Sequence, residues 1–334
     1  MLNGKNEKEK NKMLTMKEFA NQMKEQIKNY MPPQKRDVEC QVKMMIQNNN
    51  TQRVGLLFQN IDSSLDIVIY AKEFYKEFQK GKNLEEIIPK VVERYLEVVS
   101  KEKELPEVGE DDYASLKEQI TMKLVNERAN RELLEQAPHR KIEDLALVYQ
   151  VVFQMAEQEE MGSFIITNGV MEKWEMNEQE IYEVAMRNTK EVSKPVFTSM
   201  TFMMEALVRE EEPVNLFQDK KAIPEKMNEE MFVLTNETKE YGATMMIYPE
   251  ILSEISEMLQ GEYYLLPSSL HEMIIVSKDA NVSPKELGKM VREINKEQVE
   301  PEEWLSDRVY KYDKETKQFH QAMESIERSK ERER

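Results

Sequence analysis

Two periods of apolar residues alternate along this chain, and the points where one gives way to the other mark its elements. Residues 16–29 carry a helical period that stops at Pro32-Pro33. Residues 38–46 and 51–58 alternate with period two around Asn48-Asn49-Asn50, the pattern of a hairpin on an Asn turn, and residues 67–70 extend that sheet. A short helix over 71–80 ends at Gly81, where a left-handed cap is cheapest. Asn83 and Glu86 then form a capping pair ahead of Ile87, Ile88, Val91, Val92, Tyr95 and Leu96 at helical spacing. Pro89 is expected to kink that helix or move its start. The polar stretch 101–112 reads as a loop and a candidate boundary.

The middle of the chain mixes periods. Residues 121–126, 145–153 and 163–167 read as strands, and 127–136 as a helix ending at Pro138. Asn177 and Glu180 cap a helix carrying Ile181, Val184 and Ala185, and a further helix lies within 198–208. Residues 209–230 turn acidic around Pro213 and Pro224 with few core positions, which marks a linker or surface excursion. Beyond it, 231–235 and 243–248 are expected strands, and Pro249 starts a helix that Gly261 ends. Residues 263–266 and 273–276 pair around Pro267-Ser268-Ser269. Ser283-Pro284-Lys285-Glu286 is a capping box, and 308–312 with 317–319 form a last hairpin.

Strands interleaved with helices on short turns define an α+β protein with mixed or antiparallel sheets and packed amphipathic helices, in up to two subdomains. The expected organisation is a disordered N-terminus at 1–12, an α+β region at 13–208, the acidic linker at 209–230, a second α+β region at 231–320 and a charged tail at 321–334. One word occurs twice, Phe164-Ile165-Ile166-Thr167-Asn168 and Phe232-Val233-Leu234-Thr235-Asn236, as either a duplicated strand-to-loop unit or a coincidence.

Composition narrows the partners. The net charge is −17, from 64 acidic against 47 basic residues, and such a field repels phosphate backbones. Most acidic residues are Glu interspersed with Lys, the composition of a solvated helix surface rather than of a nucleic-acid mimic. A single cysteine, Cys40, excludes an intramolecular disulfide and fits a small buried hydrophobe. The polar N-terminus has no apolar h-region, and no run approaches the roughly eighteen apolar residues of a membrane helix. The expected address is cytoplasmic, with no membrane and no nucleic acid.

Nine glycines, none closer to another than seven residues, leave no phosphate-cradling loop and no nucleophile elbow. His139, His271 and His320 are far apart, so neither a metal nor a cofactor is assigned. One constellation invites chemistry: Ser268-Ser269-Leu270-His271-Glu272, where Ser269, His271 and Glu272 could act as nucleophile, base and orienter. The alternative is a β-turn preset by Pro267. Asn168, Asn236, Ser268 and Asp307 are binding candidates at strand ends and turns, and His139 falls in an expected exposed loop. Among 24 methionines, Met203-Met204 and Met245-Met246 could form an adaptable surface or fill the core.

Taken in order, the words 164–168, 232–236, Tyr248-Pro249, Leu266-Pro267-Ser268-Ser269 with His271-Glu272, and Leu305-Ser306-Asp307 with Val309-Tyr310 resemble an uncharacterised domain-of-unknown-function family common in anaerobic clostridia. The resemblance covers about residues 16–319. It implies an intracellular bacterial protein with a shared α+β fold, and supplies no catalytic residue. Three functions compete: a non-catalytic module binding a protein or peptide through a sheet edge or Met-rich groove, a hydrolase or transferase at 268–272, and an acidic nucleic-acid mimic.

Overall fold

The computed structural model describes residues 14–59, 67–101, 113–154 and 161–322. The expected N-terminus at 1–12, the loop at 102–112 and all of the charged tail after Ala322 lie outside these residues. Two units divide the chain, one of residues 1–108 and 153–162, the other of 109–152 and 163–334.

In the first unit, Thr15 and Glu18 exchange side-chain and backbone hydrogen bonds, a capping box that starts α1 (Met16–Gln26). β1 (Glu39–Ile46), β2 (Gln52–Gln59) and β3 (Ile67–Tyr70) form an antiparallel sheet in chain order. The turn between β1 and β2 holds Asn49 and Asn50 at φ 59° and 54°, which Asn tolerates better than most residues. α2 (Lys72–Gln79) ends at Gly81 with φ 100°, and reciprocal Asn83–Glu86 bonds open α3 (Leu84–Lys101), which continues through Pro89. Helices and sheet enclose one core, where Phe58 stacks on Tyr95 at 4.5 Å. Burial pushes the Cys40 thiol up to about 11, against the opposing charges of Lys24 and Lys28, so thiolate chemistry is suppressed there.

The second unit holds two sheets. β4 (Ile120–Asn126), β6 (Leu145–Gln154) and β5 (His139–Ile142) lie side by side, and β7 (Met161–Ile165) also pairs with β6. The larger sheet is antiparallel, in the order β13 (Gln318–Gln321), β12 (Tyr310–Asp313), β10 (Tyr263–Pro267), β11 (Met273–Ser277), β9 (Met231–Asn236), β8 (Pro195–Ser199). Its inner face shares a core with the small sheet, with α7 (Glu178–Val192) and with α9 (Pro249–Met258). Its outer face packs Tyr264, Leu266 and Val276 against Leu287 and Val291 of α10 (Pro284–Glu297). Short helices α4 (Tyr113–Leu116), α5 (Arg131–Gln136) and α6 (Asn168–Lys173) and the longer α8 (Met200–Arg209) complete the unit.

Two edges are closed by borrowed groups. On β4, the Met122 and Leu124 N–H groups donate to the hydroxyls of Thr189 (3.0 Å) and Thr244 (3.2 Å). On β8, Phe197 N–H donates to Asn215 Oδ1 (3.2 Å), Asn215 Nδ2 donates to Pro195 O (3.1 Å), and Leu216 N–H donates to Phe197 O (2.7 Å). These groups occupy positions that an added strand would need.

Four expectations are corrected. Residues 209–230 are not a linker: Leu216 is fully buried, and Phe217, Ile223 and Met227 pack on the same core. Their charged composition conceals a segment that docks through a few side chains. Residues 243–248 form a 3₁₀ helix (Gly242–Ile247), not a strand. All of 242–246 is buried, so its apolar positions report burial without one-sidedness. His139 is exposed but opens β5 rather than a loop, with Nδ1 against Ala137 O at 3.0 Å. The helix expected at 127–136 shortens to α5, because the Asn126 side chain accepts from Ala129 N–H and folds 127–130 as a turn. The repeated word also divides: 232–236 is all strand, whereas Thr167 caps α6.

Candidate functional site

The outer face of the small sheet is split. Inward-facing Ile120, Met122 and Leu124 of β4 join the main core, so Thr121, Lys123 and Val125 face outward. On β6 the outward set is Ala146, Val148 and Gln150, with Thr121 opposite Gln150 and Lys123 opposite Val148. Val125, Ala146 and Val148 lie under Leu134 of α5, an ordinary apolar contact. The other half is polar. Thr121 is 4% exposed and Gln150 2%, and neither Thr121 Oγ1 nor Gln150 Oε1 has a hydrogen-bond partner among the described residues. Each such orphan costs about 1–3 kcal/mol.

Lys123 stands in this polar half, partly exposed, with its Nζ 4.4 Å from the centroid of the Tyr241 ring. It makes no ion pair among the described residues. Burial draws its amine down to about 8, and the charge of Glu240 opposes the shift only in part. Tyr241 has left-handed backbone (φ 53°, ψ 26°), a conformation that costs a non-glycine residue about 1–2 kcal/mol. The residue that follows is tightly enclosed: a Cβ on Gly242 would lie 2.4 Å from both His271 O and Thr235 Oγ1. Burial followed by the Glu240 charge raises the pKa of the Tyr241 phenol. Strained backbone beside a desolvated amine is a pattern found at functional sites.

His271 stacks on the same ring at 5.9 Å. Its Nδ1 accepts from Tyr241 N–H at 3.4 Å, which leaves the proton on Nε2, 3.9 Å from Glu303 Oε1. Ser269 Oγ accepts from the His271 backbone N–H at 3.0 Å, and Ser269 N–H is 3.5 Å from Glu272 O. Ser269, His271 and Glu272 are therefore linked through their backbone, as a turn, and no side-chain relay joins them among the described residues.

The other candidates fall elsewhere. Asn168 donates to Glu135 O (3.2 Å) at the start of α6, and Asn236 donates to Glu240 O (2.8 Å), shaping the loop that carries Tyr241. Ser268 lines a narrow slot between α10 and the outer face of the large sheet, with Met231 and Met290 at its mouth. Asp307 Oδ1 accepts from Asn295 Nδ2 and Trp304 Nε1, both at 2.9 Å. Met245 and Met246 are fully buried core, whereas Met204 is not.

Sequence reasoning missed one feature and saw a second only in part, through Met203-Met204. Asp144, in the β5–β6 turn, accepts from Ser306 Oγ (2.8 Å) and Tyr310 Oη (2.7 Å), with Gln321 Nε2 at 3.3 Å and Arg308 Nε at 3.6 Å. This knot ties the small sheet to the last hairpin of the large one. The second is the solvent face of α8, where Met204, Leu207 and Val208 are 62%, 74% and 85% exposed while Ala206 is buried. A helix apolar on both faces is normally enclosed on both. The visible signal was the run Met203-Met204 followed by Leu207-Val208.

Antiparallel open sheets and packed helices place the molecule among α+β proteins, and no helix among the described residues is long and apolar enough to cross a membrane. The chain matches DUF5688, a family of unknown function, over residues 16–314 and belongs to that family. No curated protein and no solved structure matches it.

Proposed function

We propose that this protein is a non-catalytic binding module whose recognition surface is the solvent face of α8, and that its partner is a basic amphipathic segment of another protein. The exposed stripe of Met204, Leu207 and Val208 carries this reading. Water around a stripe of that kind is released when a second apolar face covers it, and methionine adapts to the shape it meets. Charge selects the partner. Glu205 lies on the helix, and Glu210, Glu211 and Glu212 follow it, exposed; Arg209 pairs with Glu205 at 3.5 Å and Lys239 with Glu212 at 3.0 Å, while Glu210 and Glu211 make no ion pair among the described residues. A Lys-rich helix would match that rim, as in helix-in-groove recognition. Addition of a strand at β4 or β8 is disfavoured by the groups already bonded there.

Fluorescence anisotropy with a labelled Leu/Lys amphipathic helical peptide tests the reading, with a Leu/Glu peptide of the same pattern as control. The Leu/Lys probe should bind and weaken as salt rises. Combining Leu207→Asp with Val208→Asp should reduce its affinity by at least about tenfold. Equal binding of the acidic probe would defeat the proposal, as would a double variant that binds as before. So would a concentration-dependent dimer, seen by sedimentation and lost in the same variant, because the stripe would then serve a second copy of this chain.

A further inference from the structure

The Lys123 corner shares no residue with α8, and it presents a different demand. An ammonium group sits against an aromatic face with no carboxylate in ion-pair range among the described residues. Beside it on the same sheet face are two buried oxygens, Thr121 Oγ1 and Gln150 Oε1, with no hydrogen-bond partner among those residues. The first group calls for an anionic oxygen. Gln150 Oε1 can only accept, so it calls for a donor, and the Thr121 hydroxyl can serve either way.

We propose that this corner binds a carboxylate carrying an N–H donor on the neighbouring carbon, the chemistry of an N-acyl amino acid or of a peptide's free C-terminus. In this arrangement the carboxylate lies on Lys123 Nζ, with the amide N–H directed to Gln150 Oε1 and the ligand's alkyl part against the Tyr241 ring. Inorganic phosphate carries its O–H on the same centre as the oxygens that would meet Lys123 and has no alkyl part to lie against the Tyr241 ring, so it fits the corner less completely. The setting of Tyr241 fits a preformed wall. Its backbone N–H donates to His271 Nδ1, Gly242 next to it packs closely on His271 O, and Asn236 closes the same loop on Glu240 O. Tyr241 is itself partly exposed, so this wall reaches solvent. The depressed basicity of Lys123 agrees with an amine awaiting a counter-ion, because an anion beside it restores the charged form.

Competition acylation with acetic anhydride on the full chain, read at Lys123 by peptide mass spectrometry, tests this directly. N-acetylglycine should protect Lys123 saturably, and acetate should do so at least about tenfold more weakly. Inorganic phosphate and N-acetylglycinamide should not protect. A short peptide with a free C-terminus should protect and its C-terminal amide should not; protection by N-acetylglycine but not by the free peptide would assign the site to small acids. Lys123→Met should abolish saturation-transfer signals from N-acetylglycine while the variant unfolds cooperatively. Gln150→Leu should bring N-acetylglycine down to the affinity of acetate. Absence of protection up to about 50 mM, a range in which even very weak sites fill, overturns the inference. Equal protection by phosphate, or undiminished binding to Lys123→Met, overturns it too.

Discussion

The small sheet carries one polar cluster at Asp144 and another at Lys123, and they treat their charges in opposite ways. At Asp144 a carboxylate receives two hydroxyls and an amide, with a guanidinium beside it, from residues more than 160 positions away in the chain. At Lys123 an amine has a ring face and no ion pair among the described residues, and two buried oxygens on the same sheet face have no hydrogen-bond partner among them. A satisfied buried network fixes one arrangement of the chain. An unsatisfied one opposes folding unless a ligand completes it. The contrast separates a joint of the architecture from a candidate site, although both look like scattered polar residues in the sequence.

The strongest way to break this comparison is Asp144→Ala. It leaves Ser306, Tyr310 and Gln321 facing a lost acceptor and should destabilise the protein by about 3 kcal/mol. Urea denaturation measures this, and a loss below about 1 kcal/mol would mean that water satisfies those groups equally well.

Lys123→Met should act with the opposite sign. The folded-state pKa of about 8 lies below the ordinary 10.5 of lysine, so the unfolded chain binds more protons between those values. The penalty is complete below about pH 8 and is relieved as pH rises towards 10.5. The full shift would correspond to about 3 kcal/mol, which partial exposure of Lys123 lowers to about 1–2 kcal/mol. Lys123→Met should therefore be more stable than the parent at pH 7, with an advantage that shrinks between pH 8 and 10. Glu240 and Tyr241 face the amine, with His271 stacked on the ring; the Tyr241 phenol titrates above its usual range, which keeps this window clear. A difference independent of pH would assign the effect to packing.

The smallest contrast is a matched pair. Ser306→Ala removes a hydroxyl bonded to Asp144 and should cost about 1–2 kcal/mol. Thr121→Val removes an orphan hydroxyl at nearly constant shape and should be neutral or stabilise by up to about 1 kcal/mol. Equal losses at the two positions would show that the Thr121 hydroxyl is satisfied.

Much of the fold was legible because its signals are local. Capping at Asn83, Asn177 and Ser283 needs partners three residues away, and all three pairs form as read. The apolar runs at 121–126, 145–153 and 273–276 became strands, and Leu145–Val151 is buried on both faces, one in the main core and the other at the contact under α5. The segment at 243–248 is enclosed as well, and burial alone does not distinguish a strand from a 3₁₀ helix. His271 stood out in sequence, but the residues that stack on and bond with it, Tyr241 and Glu303, lie about thirty positions away on either side. For Lys123 the only sequence signal was a charge in the middle of a strand, on the face it shares with Val125.

By itself the sequence determined most of the element types, the α+β class with mixed or antiparallel sheets, the net acidic charge and the exclusion of phosphate-cradling loops and thiolate clusters. Each follows from composition or from neighbours within a few residues, where steric and hydrogen-bonding preferences act directly. Tertiary structure alone decided which polar residues are satisfied. Asp144 and Lys123 belong to the same short sheet, and neither carries its partners nearby in the chain. Whether a buried charge finds a counterpart depends on which distant segments are folded against it, and that geometry makes one cluster a joint and leaves the other open to a ligand.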